Sequence, residues 1–294
     1  MGNFDSKVTV SAIVVTHNSV ENILPCLESL EREINEIGGE VILYDNASRD
    51  ATLISVRNRF PNVKIIVSPK NIGFAAANNA AAREAMGKFI LLVNPDLIFD
   101  KGGLKILIES YEQNESSGAV CPRLRHHDGS FQATCRNLPT PGNIFFSRGS
   151  LIHGRKLSQE INHGYTLGDF EETTEVPACA ATCLLMEKEL FFNLKGFDER
   201  FFMFMEDTDL CLRIGQAGRK IFFVPAAGGI HLWGKGSDIS KLRRNRYQHI
   251  SVWKYFLKHY PNGFSLFLLP LALSVNFLAG AITGTRRLSE PGRE

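Results

Sequence analysis

Through its first hundred residues the chain alternates short apolar, β-branched runs with segments of helical period, and few folds accommodate that alternation. Val8 to Val15 reads as a strand buried on both faces. Ile23, Leu24, Leu27, Leu30, Ile34 and Ile37 then recur at helical spacing, with Gly38 as the stop. A strand follows at Val41 to Tyr44, a helix opened by Ser48 and Asp50, a strand at Val63 to Val67, an Ala-rich helix at Ala75 to Met86 and a strand at Phe89 to Val93. The pattern predicts right-handed βαβ units and an α/β fold with a mostly parallel central sheet flanked by helices. Ligands of such sheets sit at the carboxyl ends of the strands. Polar residues gather at those ends: Thr16-His17-Asn18, Asp45-Asn46 and Asn94-Pro95-Asp96.

Arg123 to Glu175 has little periodicity and carries Pro139 and Pro141. It reads as long loops with some short elements, and nothing in it is legible as chemistry. Order returns with a strand at Cys183 to Met186, a turn at Lys195-Gly196, a helix from Asp207 to Gln216 ended by Gly218, and a strand from Lys220 to Val224.

The net charge of +2 provides no field that points to nucleic acid as a partner. Six scattered cysteines with no Cys-x-x-Cys spacing suggest neither a zinc site nor a disulfide framework, and they fit a reducing compartment. Met1 to Lys7 is short and polar without a secretory signal, so the expected location is cytoplasmic. Phe264 to Thr283 carries no charge and matches the roughly 20 residues needed to cross a bilayer. Pro270, Asn276 and Gly280 interrupt it, so a packed terminal helix or one lying in the membrane interface is equally open. Basic residues on both sides, among them Arg243, Arg244, Arg246, Arg286 and Arg287, favour attachment to the inner, anionic leaflet over a directed span.

Four clusters are candidates for chemistry. Asp96 ends a strand in LLVNPD, where a carboxylate suits a divalent cation held against a diphosphate; Asn-Pro-Asp alone is equally a turn. Glu206-Asp207-x-Asp209 opens a helix after the aromatic run Phe201 to Phe204, and offers either a general base or helix caps. His231, in HLWGKGS, has an imidazole suited to Mn²⁺ and lies among glycines 228, 229, 234 and 236, with Lys235 and Arg243 as nearby cations. Asp45, in DNASRD, opens an Asx turn or accepts the ring N–H of a uracil or thymine; Gly73 precedes the helix that carries Asn78 and Asn79. No G-x-G-x-x-G follows the first strand and no G-x4-G-K-[ST] occurs, which removes the main support for nicotinamide and P-loop readings.

Together and in order, VVTHN (Val14 to Asn18), DNASRD, NIGFAAANN (Asn71 to Asn79), LLVNPD, the run from Cys183 to Arg213 and HLWGKGS resemble the inverting glycosyltransferases of family two, in particular rhamnosyltransferase-like members. The resemblance implies a GT-A-type, Rossmann-like fold over 1–240, with a nucleotide-binding half to about 122, an acceptor-binding half from about 123, and a C-terminal helical hydrophobic extension over 241–294. It implies that Thr16, Asn18, Asp45 and Asn71 line a nucleoside pocket, with Gly73, Asn78 and Asn94 beside the donor. Asp96 and His231 correspond to the ligands of a divalent cation, Mg²⁺ or Mn²⁺. Asp207 corresponds to the catalytic base, supported by Glu206 and Asp209. The implied partners are a dTDP- or UDP-sugar donor and a saccharide or lipid-linked acceptor. Asn94 departs from the family's D-x-D, leaving one carboxylate at the cation.

Two other classes compete. A nucleotidyltransferase making nucleotide-sugars calls for a glycine-rich, Arg/Lys-containing loop after the first strand, which THNSVEN is not. A non-catalytic carbohydrate-binding protein on a decayed enzyme fold calls for loss of Asp96, Asp207 or His231, and all three are present.

Overall fold

The computed structural model describes residues 8–140, 166–232 and 239–283. The predicted alternation is realised as β1 (Val10–Thr16), α1 (Ile23–Ile37), β2 (Gly39–Asp45), α2 (Thr52–Arg59), β3 (Lys64–Val67), α3 (Phe74–Ala82) and β4 (Phe89–Val93). β1 pairs in parallel with β2 and β4, and β2 with β3. That register sets Thr16 beside Asp45, so two polar clusters meet at adjacent strand ends. β5 (Leu97–Phe99), α4 (Gly103–Glu112) and β6 (Ser117–Arg125) come next.

The remaining elements are β7 (Phe131–Gln132), β8 (Cys135–Arg136), β9 (Thr174–Val176), β10 (Ala178–Cys179), β11 (Cys183–Glu187), α5 (Lys188–Asn193), α6 (Glu206–Gln216), β12 (Lys220–His231), α7 (Lys241–His259), a π-helical turn (Phe264–Leu268) and α8 (Leu269–Thr283). The main sheet runs β3-β2-β1-β4-β11-β6-β12-β5. β11 is antiparallel to both neighbours and β5 to β12; the rest of that path is parallel. β8 and β10 form a separate two-stranded sheet.

Apolar side chains cover both faces of the main sheet. On one, Leu27, Leu30 and Ile34 of α1 and Leu104 and Leu107 of α4 pack against Val10, Leu43, Leu91 and Leu185. On the other, the alanines of α3, Phe191 of α5 and Leu210 and Ile214 of α6 pack against Ile13, Ile42, Leu92 and Leu184. A third cluster joins Phe201 to Val252, Tyr255 and Phe256 of α7 and to Leu269 of α8.

Two readings change. β12 continues seven residues past Val224, through an irregularity between Val224 and Gly228, and delivers His231 at its end. Gly228 and Gly229 thus lie inside a strand, where a Cβ at 228 would collide with Asp100 and one at 229 would stand 2.9 Å from the Ile98 carbonyl. Close strand packing, rather than a bend around a ligand, accounts for both. Gly234, Lys235 and Gly236 lie outside the described residues, while Arg243 is exposed on α7. In the C-terminal segment, no described helix is long and apolar enough to cross a membrane.

Candidate active site

At the ends of β1 and β2, Thr16 and Asp45 are buried. Thr16 Oγ1 and Asp45 Oδ1 have no hydrogen-bond partner among the described residues, while Asp45 Oδ2 accepts the Ser48 N–H at 3.1 Å. A buried polar atom left unpaired costs about 1–3 kcal/mol, so these oxygens suit the polar edge of a ligand. Asn18 has a left-handed backbone (φ 53°); its N–H donates to Ser48 Oγ and its Oδ1 accepts the Arg49 N–H, tying the first loop to the second.

Asn71 is held from below. Its Oδ1 accepts from Asn46 Nδ2 at 3.0 Å and from the Gly73 N–H at 3.0 Å. Asn46 is the organiser here, since its Oδ1 also accepts the Ile72 N–H at 2.8 Å. Gly73 has φ +88°, and a Cβ there would stand 2.5 Å from the Phe202 carbonyl, so glycine is required for two separate reasons. Asn78 is buried and donates to the Phe74 carbonyl one turn back. Asn94 is half-buried; its N–H donates to Thr182 O and its carbonyl accepts the Leu97 N–H.

Asp96 and His231 meet because β5 pairs with the end of β12, Leu97 opposite His231. His231 Nε2 lies 3.1 Å from Asp96 Oδ1, with both side chains about 95% buried. On the other side of the ring, Nδ1–H donates to Gln132 Oε1 at 2.8 Å, and Gln132 Nε2 in turn donates to His126 Nδ1 at 3.3 Å. Gln132 thereby selects the tautomer that turns the Nε2 lone pair toward the carboxylate. Two ligands at right angles, each about 2.1 Å from an octahedral ion, lie about 3 Å apart, so the pair fits one edge of a divalent cation's coordination shell. No group of three or more metal-ligating side chains occurs among the described residues. A cation held there would take its remaining ligands from phosphate oxygens and water, as is usual for Mg²⁺.

The three acids of α6 divide sharply. Asp207 Oδ1 accepts from Arg136 Nη2 at 2.7 Å, from the Thr208 N–H at 2.6 Å and from Thr208 Oγ1 at 3.1 Å. All these contacts fall on Oδ1 and none on Oδ2. Glu206 is buried, and its Oε2 has no hydrogen-bond partner among the described residues. Burial, then the Asp207 charge, pushes its carboxyl up to about 8, so it holds its proton at neutral pH. Asp209 is fully buried under Arg213 (2.8 Å), Lys258 (2.5 Å) and His259 (2.7 Å). Burial alone would raise its carboxyl, but the hydrogen bonds from His259 and Lys258 and the Arg213 charge hold it below the usual carboxylate range. It fastens α6 to α7.

The backbone entering α6 is left-handed at two successive bulky residues, Phe204 (φ 69°) and Met205 (φ 67°). Such a conformation costs on the order of 1–3 kcal/mol per residue and persists only where its surroundings enforce it. Here α7 does so: Tyr247 stacks on Phe202 with centroids 4.5 Å apart, Arg244 lies over the Phe204 ring, and Ser251 Oγ donates to Met203 O at 2.8 Å.

Gln132 and Arg136 both lie in the aperiodic stretch between Arg123 and Glu175. β7 pairs with β6, and β8 with β10. Neither two-residue strand leaves a periodic signal, and although β7 pairs with the nearby end of β6, the partner of β8 lies more than 40 residues downstream.

Residues 11–194 match the sequence pattern described as glycosyl transferase family 2. The N-acetylglucosaminyl-diphospho-decaprenol L-rhamnosyltransferase of Mycobacterium tuberculosis is 30% identical over 207 residues, 65% of this chain and 66% of that protein. Rhamnosyltransferase WbbL of Escherichia coli K12 is 28% identical over 231 residues, 76% of this chain and 83% of that one. Among solved structures, GalNAc-T7 with UDP, GalNAc and Mn²⁺ superposes with a TM-score of 0.60 at 17% identity, covering 95% of this chain and 58% of that chain. The mannosyltransferase PcManGT of Pyrobaculum calidifontis, with GDP-Man and Mn²⁺, gives 0.56 at 16% identity, covering 94% and 76%. Both are glycosyltransferases of the same mixed α/β architecture, the GT-A fold. With polar strand ends, the Asp96–His231 pair and a helix-borne carboxylate assembled on that architecture, and a family pattern covering more than half its length, the chain belongs to glycosyl transferase family 2.

Proposed function

We propose that the protein moves a sugar, with rhamnose as the favoured case, from a dTDP- or UDP-sugar to a lipid-linked or polysaccharide saccharide at the cytoplasmic face of a membrane, with inversion. The observation that carries this reading is the segment from Phe131 to Arg136. Gln132 braces His231 beside Asp96, and Arg136 braces Asp207. Four residues of extended chain span at most about 14 Å, which supports reading the Asp96–His231 pair and the Asp207 carboxylate as parts of one site. The printed names of the two rhamnosyltransferases support the choice of sugar and acceptor class.

In this reading the residues to about 122 bind the nucleotide, and those from about 123 to 240 bind the acceptor. Asp45 Oδ1 accepts the ring N–H of the uracil or thymine, beside Thr16. Asp96 and His231 would hold Mg²⁺ or Mn²⁺, which when bound offsets charge on the departing diphosphate. Asp207 Oδ2 takes the proton of the acceptor hydroxyl while that oxygen attacks the anomeric carbon opposite the leaving group. Arg136 and Thr208 fix the carboxylate's orientation, and protonated Glu206 adds no second negative charge beside it.

A panel of dTDP-rhamnose, UDP-galactose, UDP-glucose and GDP-mannose, each with and without Mn²⁺, tests the reading by thermal stabilisation and donor hydrolysis. The expected result is cation-dependent stabilisation by dTDP-rhamnose. Silence across the panel, with pyrophosphate released from a nucleoside triphosphate and a sugar 1-phosphate, would instead establish a nucleotidyltransferase.

A further inference from the structure

Between residues 239 and 289 the chain has eight Lys/Arg and no Asp/Glu. The whole chain is only +2, so everything outside that stretch sums to −6. The same stretch holds eight of the twelve exposed large apolar side chains among the described residues. Leu266, Phe267, Leu268, Leu271, Val275 and Leu278 are all exposed, Phe267 at 73%, along one side of the π-helical turn and α8. The helix cannot roll to hide them, because its other side is fixed to α7. Leu269 is buried with Tyr255 and Phe256, Trp253 Nε1–H donates to Ser265 O at 3.1 Å, and Asn276 Nδ2 lies 3.1 Å from His249 Nε2.

We propose that the α7–α8 hairpin docks on an anionic lipid surface. α8 lies in the headgroup plane with its apolar stripe inserted, and the exposed Arg243 and Arg246 of α7 meet the lipid phosphates. This rests on the membrane-face reading above and gives it a surface and an orientation. The packed face, shared with an α7 that carries Lys254, Lys258 and two histidines, keeps the segment on the bilayer rather than through it. A second copy of the chain is the poorer occupant, since pairing this face with itself would set the exposed Arg243, Arg244 and Arg246 of one copy against those of the other. Docking also aims the site. α7 grips the loop before Asp207 through Lys254 Nζ to Arg200 O (2.5 Å), Ser251 Oγ to Met203 O and Lys258 Nζ to Asp198 (2.8 Å). The base loop is thereby carried to headgroup level, where a lipid-linked saccharide presents its hydroxyls.

Co-sedimentation of the full chain with vesicles of phosphatidylcholine alone, or with 30 mol% phosphatidylglycerol (about one lipid in three), tests this without donor or acceptor present. The expected result is binding to the anionic vesicles only, weakened by salt. Arg243→Gln with Arg246→Gln should lower partitioning about 25-fold, at roughly fivefold per cation. Phe267→Asp with Leu271→Asp should lower it about a hundredfold while leaving melting temperature and transfer to a water-soluble acceptor unchanged. Equal binding to both vesicle types, or none, overturns the proposal. So does a Phe267/Leu271 variant that merely converts a dimer to a monomer by light scattering. For the unaltered chain, transfer to a water-soluble acceptor without binding to anionic vesicles sinks the docking surface alone, and vesicle binding without transfer sinks the catalytic reading alone.

Discussion

At the ends of β1 and β2, Thr16 and Asp45 are buried with one oxygen each unpartnered among the described residues, whereas at the start of α6 Asp207 and Asp209 are laden with internal donors. The first region keeps polar capacity in reserve for something that arrives. At Asp207 and Asp209 the second uses its capacity to hold itself in place behind a strained backbone. Donor-side substitutions should therefore change affinity and leave stability nearly untouched, while most α6 substitutions should do the reverse.

Asp207 is the exception that sharpens the contrast. Asp207→Asn keeps shape and hydrogen bonding but removes the basic oxygen, so transfer should fall by a factor on the order of 10²–10⁴, with donor affinity and melting temperature near normal. The N-cap of α6 is Met205, so near-normal turnover would leave Asp207 as the partner of Arg136 and Thr208 and remove it as the base. Asp209→Ala leaves Lys258, Arg213 and His259 without their shared anion and should cost about 3–5 kcal/mol of stability, measurable by denaturant titration; a shift below 1 kcal/mol would break the comparison. Gln132→Leu should weaken Mn²⁺ activation about 10–100-fold without lowering the melting temperature much, and an unchanged metal titration would remove the relay. Asp45→Asn should raise the KM for a uracil or thymine donor about tenfold and leave the protein as stable as before or slightly more so.

The smallest effect concerns Glu206. Its folded-state carboxyl sits near 8, above the ordinary 4.5. Between those values the unfolded chain has released a proton that the folded one keeps, so stability declines as pH rises through that window. Glu206→Gln should flatten the decline in melting temperature from pH 5 to 8; a slope equal to that of the parent protein would contradict the burial argument.

Sequence alone exposed the elements whose partners are near in the chain or whose period is strong. α1 announces itself through six apolar positions, and β1, β2 and β4 through unbroken apolar runs. β6 went unread although nine residues long, because its partners β11 and β12 lie far downstream and Pro122 interrupts its pattern. The site divides the same way. Residues at strand ends and at the helix start, Asp45, Asp96 and Asp207, were legible because a boundary marks them. Gln132, Arg136 and Asn46 were not singled out, because each acts by touching another functional side chain, and that contact is made only when distant strands are laid together. Lys258 and His259, on a helix 49 and 50 residues beyond Asp209, left no local sign at all.

α7 lies C-terminal to everything it steadies. A chain made from its N-terminus completes the sheet and both carboxylate clusters before residue 258 exists. Until then Asp209 has Arg213 alone, and the left-handed pair Phe204 and Met205 lacks Arg244, Tyr247 and Ser251 against it. Competence thus arrives last in the molecule's own biogenesis. A half-made chain has its strand ends in place while the loop before Asp207 still lacks the helix that steadies it.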